Sequence, residues 1–549
     1  MTFDRADALR RLESEDFDVL VVGGGITGAG VALDAATRGL RVGLVDKGDF
    51  ASGTSSKSSK LVHGGIRYLQ QKEVGLVYEA LAERQTLRTT APHLVRVLPF
   101  LLPVFTKDGL LPGKLARILG ATMWAYDLTG GLRIGKLHKR VSKAEVAEYM
   151  PTLPVERIAA SYVYYDAQAD DARLTLTVAI TAADYGAALA NYASVVGLDK
   201  DARGRITAAR IAVDRREIAV RTRSVVNATG VWADDLRAID EGQHTGTIRP
   251  AKGIHITVPW NLVRNRIATV VPVPKDRRSV FVVPWGDRAD GEFAFTYIGT
   301  TDTDYDGPLD EPQCTPDDIA YLLRAINASI TTTITEHDVL GTWAGLRPLV
   351  RDAGSERTAD LSRRHSVRAS ASGVVTVTGG KLTTYRRMAA DAVDEVLKYL
   401  DRRARSRTKR VKLHGATGWD APDLPPYLAG RYGADARRVL ALARAEPTLG
   451  EPLVPGLDYV RAEVVHAVRS EMAQTVDDVL SRRTRARLLA RDASAEIAAD
   501  VAALMASDLG WSESEQLRQV EQYRALVEAE QEAGGLPPTA LDALLQRPS

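Results

Sequence analysis

Cysteine is almost missing from this chain: Cys314 is the only one in 549 residues. A disulfide framework, a CxxC redox pair and a cysteine-rich zinc site are thereby excluded, and the composition is compatible with a reducing compartment. No metal is expected. Long apolar runs are lacking as well. The longest candidate, Leu98 to Phe105, contains Pro99 and Pro103 and falls short of the roughly 18 residues that cross a bilayer. Net charge is close to zero, with 72 Lys plus Arg against 70 Asp plus Glu, so no nucleic-acid partner is expected. The opening residues MTFDRADALRRLESEDFD lack the basic start and apolar core of a secretory signal, which predicts a cytoplasmic protein whose membrane role, if any, is peripheral.

What is present describes an ordinary folded protein, 45% hydrophobic and 26% charged. Its length suggests about three domains. Val19 to Val22 is a short apolar run suited to a buried parallel strand, Thr27 to Thr37 suits a helix closed by Arg38-Gly39, and Arg41 to Val45 is a second buried strand. Two later segments, SVVNATG at 224–230 and GVVTVTGG at 373–380, repeat the strand-to-glycine ending and are placed in the same sheet. Residues 251–301 alternate β-branched and aromatic residues with turns, as in HITV, VFVV and FAFTYIGTTD, which reads as antiparallel sheet. Beyond residue 400 the pattern becomes Ala-, Leu-, Arg- and Glu-rich helix. The predicted fold is α/β: a Rossmann-type nucleotide-binding domain from 1–92, 155–250 and 345–400, an antiparallel β substrate domain from 93–154 and 251–344, and a C-terminal α-helical cap domain from 401–549. The basic join from Arg402 to Lys412 reads as a solvated linker or a headgroup-binding patch.

Gly23, Gly25 and Gly28 form GxGxxG between the first strand and the first helix. The first glycine makes the turn, the second lets backbone approach a pyrophosphate, and the third lets helix pack on strand. The helix N-terminus then offers free N–H groups and the positive end of its dipole to phosphate. Asp46, ending the next strand, is suited to the ribose hydroxyls. The following stretch, ASGTSSKSSKLVHGGIRY at 51–68, is dense in hydroxyls and glycines and can follow an extended cofactor towards its ring system.

Val22 to Gly39 (VGGGITGAGVALDAATRG) resembles the N-terminal signature of the FAD-dependent glycerol-3-phosphate dehydrogenases, and Gly379 to Ala389 (GGKLTTYRRMA) resembles their second one. SGTSSKSSKLVHGGIRYL, VVNATG, KGIHI, IGTTDTDY, GLRPL and EMAQTVDDVLSRRTR are similar to family segments in the same order, so the resemblance covers almost the whole chain. It implies FAD as cofactor, with contacts from Gly23, Gly25, Gly28, Asp46, Ser52, Thr54, Ser55, Ser58, Lys60, His63, Gly64, Ala228, Thr229, Gly230 and Thr383. It implies sn-glycerol 3-phosphate as substrate, oxidised to dihydroxyacetone phosphate by hydride transfer from C2 to flavin N5. A phosphate dianion needs fixed cations, and arginine's planar fork suits its oxygens. Arg347, Arg363 and Lys381 match substrate-binding positions of the family, and Arg67 is a fourth candidate. Arg363 and Arg364 are adjacent, and alignment favours Arg363 as the one facing the substrate.

His255, with Arg347 and Lys381, makes up the expected catalytic set. Histidine titrates near neutrality and suits proton transfer; His63 and an arginine-assisted water are the alternatives. The resemblance also implies a respiratory quinone (ubiquinone or menaquinone) as acceptor, and hence peripheral association with the cytoplasmic face of an anionic membrane, with a homodimer expected. Leu98 to Phe105, with the nearby Lys107, Lys114, Arg117, Arg133, Lys136, Lys139 and Arg140, is either an apolar contact with a basic surround or a core segment. The competing activity is an oxidase of the same fold that releases hydrogen peroxide. Cys314, in LDEPQCTPDD, reads as a surface-loop residue.

Overall fold

A computed structural model describes residues 3–65, 73–105, 126, 134–243, 246–276, 278–288, 290–350 and 364–546. Arg67 and Arg363 lie outside them, as do Lys107, Lys114, Arg117 and Arg133.

The three strand-to-glycine segments do share one sheet. Its order is Ser366–Ala369, Val374–Thr378, Val225–Asn227, Val19–Val22, Val42–Val45, Ala188–Ala190. Every pairing is parallel except that of the edge strand Ser366–Ala369. Parallel strands covered on both faces read as continuous apolar runs. Both faces are indeed covered. Helix Ile26–Thr37 packs on one, flanked by Asp171–Asp184 and Tyr385–Tyr399, while a four-stranded sheet built around Ile206–Val213 and Arg216–Thr222 buries Ile211 and Val220 against Leu20 and Val225 on the other.

A ten-stranded, mainly antiparallel sheet forms the second layer. Its centre is the long strand Ile248–Pro259, paired with Phe293–Gly299 on one side and Gly341–Val350 on the other. Ile158–Gln168, within the segment that sequence assigns to the nucleotide-binding part, pairs antiparallel with Arg96–Phe105 in this second sheet. That pairing decides between the two readings of Leu98 to Phe105 in favour of a core segment. Leu98, Phe100, Leu101 and Phe105 are buried in the sheet's two hydrophobic clusters and Val104 is buried too, so the apolar run serves the sheet's own core. Pro99 and Pro103 fall opposite Tyr165 and Ser161. Cys314 is likewise not at the surface: it is buried beside Ile319 and Ala344, and burial pushes its thiol up to about 12. Polar neighbours in sequence misled because the chain dives into the core at the capped start of helix Pro316–Asn327.

The remaining chain is helical, with Ala462–Glu471, Ala498–Leu509 and Glu513–Gly534 closing a separate apolar cluster. No described helix is long and apolar enough to cross a membrane. His414 ties this part to the first layer. Its Nδ1 lies 2.7 Å from Asp184 Oδ2 and its Nε2 2.7 Å from Asp435 Oδ2, and the two carboxylates outweigh burial and raise it to about 9. A pKa raised on folding adds stability that is complete below the unfolded value near 6.5 and is lost as pH rises through the folded one. With half-exposed Asp184 discounted, the contribution is about 2 kcal/mol. His414→Gln is therefore expected to melt earlier than wild type at pH 6, with the gap closing by pH 9.5 in paired thermal melts.

Candidate functional site

The strand Val19–Val22, the Gly23–Gly25 turn and helix Ile26–Thr37 open onto a cleft of about 370 Å³. Gly23 sits at φ +106°, and a Cβ there would lie 2.6 Å from the Ala228 carbonyl oxygen. At Gly28 it would lie 1.8 Å from the Gly23 carbonyl oxygen. Side chains are excluded at both points by backbone, which is the close approach a pyrophosphate-binding turn requires. Gly25, Ile26 and Thr27 line the cleft at the helix N-terminus. The helix has no acidic residue in its first turn, so nothing competes with an anion for its dipole. Asp46 lies at the same turn, its carboxylate accepting from the Gly24 and Gly48 amides; burial raises its pKa despite those bonds.

Ser52, Thr54, Ser55, Ala228, Thr229, Gly230 and Lys381 also line this cleft. Ser55 Oγ accepts the Ile26 amide at 2.9 Å, and Thr54 Oγ1 donates to the Leu346 carbonyl at 2.6 Å. Lys381 follows the left-handed pair Gly379-Gly380. Deeper in, the Thr383 hydroxyl accepts the His63 amide at 3.1 Å, and Gly64 fits beneath Leu81 and Tyr126, where a Cβ would clash at 2.5 and 2.6 Å. The expected cofactor contacts Ser58 and Lys60 both engage Asp171. The Ser58 amide is bonded to Asp171, and Lys60 Nζ donates to the Ser56 carbonyl and to Asp171. Lys60 is buried behind the loop, and that burial, with the charge of Arg485, brings its pKa down to about 8.

The same loop borders one face of the ten-stranded sheet. Opposite residues of an antiparallel pair face the same side, and that side recurs every second residue. The pairs His255–Trp343, Gly253–Gly345 and Ala251–Arg347 therefore put His255, Trp343 and Arg347 on one face, with glycines between them. The Lys57 carbonyl packs on Gly345, where a Cβ would come within 2.3 Å. Leu346 and Pro348, on the alternate side, line the cleft. The Arg347 guanidinium extends over Gly253 to Asp302 Oδ1 at 3.2 Å and Thr300 Oγ1 at 3.1 Å. The His255 ring stacks on Trp343, with centroids 4.7 Å apart and planes 7° from parallel. Its Nε2 is 2.9 Å from Ser59 Oγ, and its buried Nδ1 has no hydrogen-bond partner among the described residues. Burial, then the charges of Lys60 and Arg347, hold His255 well below the usual histidine range, so it is a neutral imidazole at pH 7. Arg364 pairs with Glu73 and is largely exposed, which leaves Arg363 as the member of that pair whose position is not described.

A GxGxxG turn without room for side chains, a helix N-terminus without acid, and a ribose-side aspartate fit FAD. The family model described as FAD dependent oxidoreductase matches residues 18–386, and that described as the C-terminal domain of alpha-glycerophosphate oxidase matches 406–516. The chain is an FAD-dependent oxidoreductase. It is 40% identical to glycerol-3-phosphate dehydrogenase 2 of Mycobacterium tuberculosis over 96% of its own length and 90% of that protein's. The FAD complex of the Bacillus halodurans glycerol-3-phosphate dehydrogenase is 30% identical and superposes with a TM-score of 0.77, covering 95% of this chain and 97% of that one. The Mycoplasma pneumoniae L-alpha-glycerophosphate oxidase shares the fold at 18% identity and a TM-score of 0.54, over 72% of this chain and 97% of its own. The protein belongs to the FAD-dependent glycerol-3-phosphate dehydrogenase family.

Sequence reasoning passed over Trp343, Ser59 and Asp302. Trp343 carried a usable signal, since Trp343, Gly345 and Arg347 alternate in one strand and must share a face. Ser59 and Asp302 lie in the SGTSSKSSKLVHGGIRYL and IGTTDTDY segments, but nothing local singles them out, because their partners His255 and Arg347 are distant in sequence.

Proposed function

We propose that the enzyme oxidises sn-glycerol 3-phosphate to dihydroxyacetone phosphate and passes the electrons to a membrane quinone. The observation that supports this most is the shared, glycine-cleared sheet face that sets a neutral His255 and the Arg347 guanidinium beside the cofactor loop. FAD, when bound, supplies the hydride acceptor. The chain supplies the rest. Arg347, Lys381, Arg363 and Arg67 bind the phosphate dianion, and His255 takes the C2 hydroxyl proton on a ring nitrogen. Substrate phosphate at Arg347 offsets one of the charges that depress His255, so binding itself makes the imidazole a stronger base. Trp343 and Ser59 fix the ring so that orientation costs little. Gly23, Gly25, Gly28, Asp46, Ser52, Thr54, Ser55, Ala228, Thr229, Gly230 and Thr383 hold the cofactor.

The test is anaerobic: sn-glycerol 3-phosphate should bleach the flavin band of the purified protein, and glycerol should not. An oxidised spectrum that persists at saturating substrate would refute the assignment. His255→Gln should keep its flavin and lose roughly 10²–10⁴-fold in the rate of that bleaching; a rate within tenfold of wild type would move the base elsewhere.

Oxygen is the competing acceptor, suggested by the oxidase name of the matching C-terminal model. Stoichiometric peroxide without added quinone or dye would decide for it. A quinone acceptor carries with it peripheral attachment to the cytoplasmic face of the membrane, through surfaces other than the buried Phe100–Phe105 stretch. Recovery wholly in the soluble fraction of a low-salt lysate would count against that.

A further inference from the structure

The cofactor loop is held from behind by the helical domain. Asp49, just before the loop, is 1% exposed. Arg482 Nε donates to its Oδ2 at 2.7 Å, and Arg483 grips both oxygens, Nη1 to Oδ2 at 2.6 Å and Nη2 to Oδ1 at 2.9 Å. Neighbouring residues of an α-helix diverge by about 100°, but these two end a π-helical turn, Asp478–Arg483, a local widening that recurs at functional sites. Burial pushes the Asp49 carboxyl up, and the two guanidiniums outweigh it.

Two residues further on, Arg485 reaches the other end of the loop. It pairs with Asp171 and, at 2.9 Å, with Asp170, and its Nη2 lies 3.4 Å from the Ser56 carbonyl. Asp171 in turn accepts the Ser58 amide at 2.8 Å and Lys60 Nζ at 2.9 Å. The segment between these anchors supplies Ser52, Gly53, Thr54, Ser55 and Lys57 to the cleft. Removing one guanidinium from a buried ion-pair network leaves its carboxylates under-compensated, and here they hold the two ends of the cleft-lining loop: without Arg485, Asp171 would keep Lys60 but Asp170 would have no ion-pair partner among the described residues.

We propose that Arg482, Arg483 and Arg485 are positioning residues for FAD, so that the C-terminal helical domain is a working part of the cofactor site and not an appendage to it. None of the three lines the cleft; they act by holding the Asp49 carboxylate, the Ser56 carbonyl and, through Asp171, the Ser58 amide. Supporting groups of this kind typically govern affinity by 10- to 100-fold.

The experiment compares full-length Arg485→Met and Arg485→Lys with Arg491→Met. Arg491 is equally buried but pairs with Asp492 and the Pro537 carbonyl, inside the helical domain. Each apoprotein is titrated with FAD by flavin fluorescence, beside a thermal melt. The expected result is an FAD dissociation constant raised roughly 10- to 100-fold in Arg485→Met, a smaller rise in Arg485→Lys, which keeps the charge and loses the fork, and no change beyond about threefold in Arg491→Met despite a lowered melting temperature. Wild-type affinity in both Arg485 variants, or equal weakening in Arg491→Met, overturns the proposal. Should Arg485→Met not fold, the contrast between Arg485→Lys and Arg491→Met decides it in the same terms.

Discussion

An Arg347→Ala enzyme is expected to remain yellow and to lose nearly all of its response to sn-glycerol 3-phosphate. The guanidinium is borne by a strand, Gly341–Val350, that is paired along its length with Ile248–Pro259, so deleting its side chain leaves the backbone frame in place. What is lost is the charge at the end of the glycine-cleared face. Arg347 is partnered by Asp302, whose side chain is 7% exposed. A dianion arriving there meets a partly buried cation already oriented by Thr300 and Asp302, and charge-assisted bonds are the strong ones. Truncating a hydrogen-bonded charge that pairs with a bound anion costs about 2–5 kcal/mol, or roughly 30- to 5,000-fold in kcat/KM. Arg347→Lys should recover part of this, because it restores a charge without the bidentate fork. Stopped-flow reduction at varied substrate concentration separates the outcomes. A raised KM with an unchanged limiting rate would mean that Arg347 only binds phosphate; a fall in both would mean that it also orients C2 or tunes His255. An unaltered kcat/KM would remove Arg347 from the site and leave the phosphate to Lys381, Arg363 and Arg67.

How far such a site can be read from sequence depends on whether the signal is local. The turn at Gly23 to Gly28 is local: a strand, three glycines and a helix follow one another, and at Gly23 and Gly28 backbone crowding forbids anything larger, so the cofactor cleft was legible in the sequence. Period-2 and apolar-run patterns likewise identified the parallel strands and the antiparallel layer. Leu98 to Phe105 was ambiguous for a physical reason. An apolar strand buried on both faces and an apolar surface patch have the same composition, and only the partner strand Ile158–Gln168 distinguishes them. Cys314 was misplaced because its polar flanks describe the helix cap beside it and not its own surroundings. The arginines of the helical domain were least accessible. Their resemblance to a family segment was visible, but that Arg483 meets Asp49 and Arg485 meets Asp171 follows from tertiary contacts across hundreds of residues, and a charge run in sequence is as consistent with a solvated helix face.

Gly28→Ala is expected to abolish FAD binding, the largest effect any single methyl group should have in this protein. The added carbon would stand 1.8 Å from the Gly23 carbonyl oxygen and 3.3 Å from Val21 Cγ1, and neither neighbour is a flexible side-chain tip. Gly23 is fixed in turn by the hydrogen bond its amide donates to the Val45 carbonyl at 2.8 Å and by a φ of +106°. The helix Ile26–Thr37 must therefore move off the sheet by more than an ångström, and it cannot move alone. On its far side Gly30 packs on the Tyr385 ring, where a Cβ would already lie at 2.6 Å, so the displacement is resisted by helix Tyr385–Tyr399 as well. Overpacking of this kind costs about 1–3 kcal/mol when side chains can yield, and more when the obstruction is backbone. The displaced N-terminus would also withdraw the amides of Gly25 to Thr27 from the cleft, weakening the anion site through its geometry as well as its stability. Gly75→Ala supplies the control: it too adds one methyl group to a helix, Val74–Thr90, but meets nothing within 4 Å among the described residues, and should be neutral or stabilising by about 0.5–1 kcal/mol. The flavin-to-protein ratio after purification and an FAD titration of the apoprotein measure both. Loss of flavin in Gly28→Ala alone ties the defect to the turn. Retained, wild-type FAD affinity would mean that the strand–turn–helix contact tolerates a shift that its close packing rules out, and the cleft assigned to the cofactor would have to be placed elsewhere.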